Sequence, residues 1–297
     1  MDWKDREGSG NMEDARGRTG GGGGFGGGGG GMFGILTLIG RTFGIKGILV
    51  AVVAGVVLWK CGIINPLQLS GGGSGGGSEW AETPADKESY EFVSRVLRGT
   101  EKVWQAEFAR HGMQYVEPKL VVFRSNVATA CGTGSAAMGP FYCPADQQIY
   151  IDLSFFDELA RTFNSPGDFA QAYVIAHEVG HHVQKLLGDS DKVSAMRGRP
   201  DYNQYSVRLE LQADFYAGMW ARQSVEYFNL DKSDIEEAMR AANAIGDDAI
   251  QKKQQGKIVP HAFTHGTSEQ RMRWFKKGLD SGKMEDGDTF SMPYQSL

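Results

Sequence analysis

The sequence predicts an α+β fold: a mainly helical domain with a small β-sheet, preceded by one transmembrane helix. Three observations lead there. Two glycine tracts, Gly20–Gly31 and Gly71–Gly77, hold many of the 42 glycines among 297 residues. Neither can build a core, because glycine offers no side chain to bury and loses much backbone entropy on ordering. Between them lies an uncharged apolar run. Beyond them, residues 79–297 mix short strand-like and long helix-like periodicities, enough chain for one core.

Residues 1–43 therefore read as a glycine-rich, disordered segment, residues 44–64 as a membrane anchor and residues 65–78 as a flexible Gly/Ser linker. Gly47–Trp59 is thirteen residues without a charge. At ~1.5 Å rise per residue that spans ~20 Å, short of a ~30 Å hydrocarbon core. Extension to residues 44–64 supplies the length, with Lys46 and Lys60 placed to snorkel and Trp59 at the interface. Arg16, Arg18, Arg41 and Lys46 precede this run and only Lys60 follows closely. The excess of positive charge on the N-terminal side predicts a cytoplasmic N-terminus, a lipid bilayer as partner, and a periplasmic or extracellular domain.

In the domain, apolar residues recur at three- and four-residue spacing through Asp86–His111, a helix. Lys119–Phe123 and Gln148–Asp152 read as strands. Cys61 closes the apolar run, whereas Cys131 and Cys143 stand twelve apart in a turn-rich stretch. A disulfide, free thiols or zinc ligation are all open to that pair, and no C-x-x-C supports a structural zinc site. Ser165, Pro166 and Asp168 read as a helix start, and the helix they open should end near Gly188. Further helices are expected over Tyr205–Phe228, Lys232–Gln255 and Ser268–Leu279. A net charge of −5 excludes nucleic acid as a main partner. The mixed charges of Arg271–Lys277 read as a solvated helix face.

Chemistry concentrates at His177-Glu178-Val179-Gly180-His181. Two histidines four apart on a helix share a face, so both imidazoles can reach one tetrahedral Zn²⁺, with Glu178 beside them as the base. The residues before them, from Ala172 to Ala176, are apolar nearly all round. This helix is therefore buried, and polar groups on it need partners that a metal supplies. The third ligand expected is Glu210, 29 residues past His181, with Asp214 one turn on to accept from the outer nitrogen of a ligating histidine. A histidine in place of Leu187 would have been the other route. His182 points about 100° away from His181 and reads as packing or support for the site, and His111 as ordinary surface. His265 is the candidate donor to a developing oxyanion, or else a loop histidine bonded to a helix start. An extended peptide or protein substrate is expected along a sheet edge near Gln148–Asp152.

At these residues the chain resembles a bacterial family, the putative neutral zinc metallopeptidases. The resemblance is carried by MGPFYCPADQQIYIDLSFF, FAQAYVIAHEVGHHVQKLLG, SVRLELQADFYAGMWA, AIGDDAIQKKQQGKIVP and FTHGTSEQRMRWFKKG. It implies a zincin-like domain, one Zn²⁺ on His177 and His181, Glu178 as catalytic acid and base, and a gluzincin-like role for Glu210. Two family cysteines are expected where this chain has Phe215 and Gly287; if they normally pair, one staple is absent here. The function expected is hydrolysis of peptide bonds. Its rival is a non-catalytic zinc-stabilised envelope scaffold or interaction module, and a decayed site that holds no zinc is a third reading.

Overall fold

The computed structural model describes residues 1–18 and 81–297. The expected anchor at 44–64, Cys61 and the Gly/Ser linker lie outside these residues. What is described is mainly helical with small sheets, the α+β class that the periodicities predict.

The N-terminal segment departs from expectation. Residues 1–18 are not a free tail but part of the domain. Strand β1 (Met12–Asp14) pairs in parallel with β2 (Lys119–Phe123), Met12 opposite Leu120. Trp3 is buried, and its indole N–H donates to Asp168 at 2.8 Å. The Met1 amino group meets Asp234 at 2.8 Å. Burying one large apolar side chain contributes about 1.5–3 kcal/mol, which explains how so short a strand stays attached.

This pairing corrects the expected single-pass location. Strands of one sheet lie on one side of any membrane, so residues 14 and 120 cannot be separated by a single crossing between residues 18 and 81. Nor is any helix among the described residues long and apolar enough to cross a membrane.

Helix α1 (Pro84–Arg110) opens with a Thr83–Asp86 capping box and Pro84 in its first turn. Its Val93, Val96, Leu97 and Trp104 face the core. The main sheet runs β1-β2-β6-β5, where β6 is Gln148–Asp152 and β5 is Phe141–Cys143. Strand β6 lies parallel to β2, and β5 antiparallel to β6. Alternation along β2 and β6 divides the two faces. Leu120, Val122, Ile149 and Ile151 join the helical core, while Val121, Phe123 and Tyr150 lie under the hairpin of β3 (Asn126–Thr129) and β4 (Gly132–Ser135). Cys131 and Cys143 form a disulfide that ties the hairpin turn to β5. Strand β6 is itself paired on both sides, so the sheet edge near Gln148–Asp152 is that of β5, one of the two outer strands with β1.

After α2 (Ser154–Arg161) comes the central helix α3 (Asp168–Leu187), ending at Gly188 as expected. Its start differs. Gly167, not Ser165, is the N-cap, and no cap side chain bonds the first turn. Instead Glu237, from α7, accepts the Phe169 N–H at 3.0 Å. Short α4 (Asp189–Ser194) leads to α5 (Tyr202–Gln223) and α6 (Val225–Phe228). The helix expected over Lys232–Gln255 is two, α7 (Lys232–Ala244) and α8 (Asp247–Gln255), with Asp231 and Asp234 capping the first. Gly246 separates them where the Ser268 backbone passes too close for any side chain. Helix α9 (Ser268–Ser281) opens on a Thr267–Gln270 capping box and packs along α5.

Candidate metal centre

Helix α3 is buried nearly all round, as its apolar run requires: Tyr173, Ile175, Ala176, Val179 and Val183 are each at most 1% exposed. His177 and Glu178 are buried with it. Helix α5 crosses at Gly180, where an added Cβ would stand 3.0 Å from the Ala213 carbonyl oxygen. Glycine inside H-E-x-x-H thus lets the second helix come near enough to deliver Glu210.

His177, His181 and Glu210 each bring one donor atom into a group within 4.8 Å of one another. His177 Nε2 is 3.2 Å from Glu210 Oε2, and His181 Nε2 is 3.5 Å from Oε1. The outer nitrogens have partners of their own. His177 Nδ1 lies 2.9 Å from Asp214 Oδ1, a carboxylate that can only accept. His181 Nδ1 lies 2.9 Å from Gln184 Oε1. Gln184 cannot be turned round, because its amide nitrogen donates to the Leu209 carbonyl at 2.6 Å. Each outer nitrogen thus has an acceptor, and each Nε2 faces Glu210, to which a protonated imidazole donates and beside which a neutral one could offer its lone pair to a metal.

Charge makes the same demand. Burial raises Glu178, with Glu210 adding to it against the opposing histidines. Burial acts in the same upward sense on Glu210, but the His181 and His265 charges and the hydrogen bonds from both histidines outweigh it and hold Glu210 well below the usual carboxylate range. Asp214, also desolvated, is held down at about 2 by Arg271 and His177. Burial pulls His181 down, yet Glu210 lifts it to about 9. With the imidazoles neutral, as metal ligands are, three carboxylates face one guanidinium, an excess of two negative charges that a divalent cation would neutralise. Two imidazoles and a carboxylate are also the donor set that zinc favours. The residues fit the ion.

His265 stands apart from the three donors, half exposed on the loop before α9. Its Nδ1 is 3.1 Å from Asp247 Oδ1, while Asp247 Oδ2 accepts the backbone N–H groups of Thr264, His265 and Gly266 at 2.7, 2.6 and 3.1 Å. The field of Glu210 raises its pKa above the ordinary value. His182 is buried, its ring between the Tyr142 hydroxyl at 3.1 Å and the Val116 carbonyl at 2.6 Å, and it ties β5 to α3. His111 sits 3.3 Å from Glu107 on α1, near Glu285. That second group of possible ligands is already served by Arg110 and Gln223, which both bond Glu107. Phe215 and Gly287 do meet: a Cβ on Gly287 would lie 2.7 Å from the Phe215 ring, which fills that space.

Four residues around the centre escaped the sequence reading: Tyr173, Gln184, Asp247 and Arg271. Arg271 is a correction, since it was grouped with a solvated face and is 2% exposed. The signal was its spacing. Arg271, Trp274, Phe275 and Gly278 share one buried face of α9.

Fold and site together define an H-E-x-x-H protein, in which one helix offers two imidazoles and a carboxylate and a second helix brings Glu210 into a group that could hold a metal ion. The chain belongs to the family described as putative neutral zinc metallopeptidase, which matches residues 1–290 and so includes the N-terminal strand. It is 43% identical over 294 residues to the uncharacterized protein YpfJ of Escherichia coli K12, covering 98% of this chain and 99% of that one. An uncharacterized protein of Mycobacterium bovis is 43% identical over 188 residues, 60% of this chain and 64% of its own. No solved structure matches the chain.

Proposed function

We propose that the chain is a zinc-dependent peptidase, hydrolysing a peptide or protein with His177, His181 and Glu210 as ligands of one Zn²⁺ and Glu178 as general base. The observation that carries this reading is that two histidines, each with Nδ1 on an acceptor, turn Nε2 to one carboxylate, with a buried carboxylate between them in sequence. A zinc ion held there supplies Lewis acidity, lowering the pKa of water and polarising a carbonyl.

The chain's own groups do the rest. Glu178 takes the proton from the attacking water on a carboxylate oxygen and passes it to the leaving amine. Its burial suits it to the exchange, because a raised pKa brings base and acid strength closer together. His265, with Nδ1 turned to Asp247, can donate from Nε2, in its imidazolium form, to the oxyanion that forms on the carbonyl. Asp214 keeps the His177 ring in its ligating tautomer. Strand β5, one of the two outer strands of the sheet and joined to α3 through Tyr142 and His182, offers an edge for an extended substrate backbone to pair with.

Glu178→Gln tests the reading. It should keep full zinc content and lower cleavage of a peptide library by about 10²–10⁴-fold. Undiminished cleavage by that variant would remove Glu178 from the chemistry.

A further inference from the structure

The geometry points to Arg271 as a positioning residue of the metal centre, one that sets the orientation of His177 through Asp214 and does not itself touch substrate. The inference rests on the metallopeptidase reading above. It begins with the softness of the parts. The ring torsion of a histidine and the carboxylate torsion of an aspartate are both broad, so a hydrogen bond from His177 to Asp214 orients the ring only if Asp214 is itself fixed.

Asp214 is fixed from several directions. It is 0% exposed, and the Arg271 guanidinium grips it with both edges of its fork, Nε to Oδ2 at 2.8 Å and Nη2 to Oδ1 at 2.9 Å. The Tyr173 hydroxyl donates to Oδ1 at 2.5 Å and accepts from Arg271 Nη2 at 3.2 Å. His177 Nδ1 completes the set at 2.9 Å from Oδ1, and Arg271 Nη2 also stands 3.3 Å from that ring nitrogen. Two-point binding by a planar fork defines the carboxylate plane, which a single ammonium cannot do.

Arg271 is held in turn. Its Nη1 donates to the Ile245 carbonyl at 3.1 Å. Ile245 caps α7 and lies two residues before Asp247, the partner of His265. One side chain thus links the ligand helices α3 and α5 to the turn that leads to His265. The helix bearing it cannot slide. Helices α5 and α9 cross through Gly218 and Gly278, where a Cβ would come 1.9 Å from the Phe275 and Phe215 carbonyl oxygens respectively. Arg271 lies two turns from Gly278 on the same face, so this close crossing sets its reach to Asp214.

A structural ion pair alone would leave metal affinity untouched, and that difference makes the test. In the full chain, Arg271→Lys and Tyr173→Phe are compared with wild type by zinc affinity against a competing chelator, by the absorption spectrum of the cobalt(II)-loaded protein, and by circular dichroism for folding. Lys276→Gln, on the exposed face of α9, is the control. Arg271→Lys should weaken zinc binding by roughly 10–100-fold and alter the cobalt spectrum. Tyr173→Phe, which removes one donor and little volume, should act in the same direction to a smaller degree, and the control should match wild type. Wild-type zinc affinity and cobalt spectra in folded Arg271→Lys and Tyr173→Phe proteins would overturn the inference while leaving the peptidase reading standing. A wild-type chain that takes up no stoichiometric zinc would overturn both.

Discussion

Two carboxylate–imidazole pairs stand near Glu210, and they are built to opposite specifications. His177–Asp214 is sealed in the core, with Asp214 entirely buried and fastened by Arg271 and Tyr173. His265–Asp247 joins a loop to the first residue of α8, its imidazole half exposed and its carboxylate fastened by three consecutive backbone N–H groups. The first pair is held rigid by charge on charge, where any loss leaves a buried ion unpaired. The second is held by local backbone geometry and open to water on one side. A metal ligand that must never move would suit the first design, and a group that meets a substrate with a hydrogen bond would suit the second.

Asp214→Asn should therefore break far more than Asp247→Asn. It strands Arg271 in the core, which costs about 3–5 kcal/mol of stability, and weakens zinc binding by roughly 10–100-fold. Thermal melts and chelator competition read the two effects. Asp247→Asn should leave zinc content unchanged and lower turnover, by at most about 10²-fold if His265 is the oxyanion donor. Equal zinc loss in both variants would erase the contrast between the pairs.

Acidification gives a finer test. Asp214 is held at about 2 against an ordinary 3.8. A lowered carboxylate stabilises the fold fully above the unfolded value, and that stability is lost as pH falls from about 3.8 through about 2, roughly 2 kcal/mol in all. The acid-unfolding curve of wild type should show this loss, and Asp214→Asn should lack it. His265 provides the smallest and most specific shift. Glu210 raises its pKa above 6.5 in the metal-free chain. Zinc on Glu210 cancels that field, so an NMR titration should show the His265 value fall when zinc is added. No change would place His265 outside the influence of the centre.

Much of this site could be read along the chain. Spacing alone puts His177 and His181 on one face, and Glu210 and Asp214 on one face of a second helix, because a four-residue interval is nearly one helical turn. Arg271 could not be found the same way. Its partner Asp214 is 57 residues distant, and the charges of Arg273, Lys276 and Lys277 around it mask the apolar face that Trp274 and Phe275 mark. Asp247 was hidden inside what looked like one continuous helix, which breaks at Gly246 because the start of α9 packs there. The N-terminal strand was hidden by the glycine tract after it. Three residues of β-structure carry no periodicity of their own, and what holds them is the pairing with β2 and the burial of Trp3.

Elemental analysis of the purified full chain beside Glu210→Gln and His177→Ala tests the metal centre most directly. One zinc per chain is expected in wild type, with substoichiometric zinc in both variants while circular dichroism still reports helix. Zinc absent from wild type, or retained at one per chain when either ligand is removed, would contradict the site.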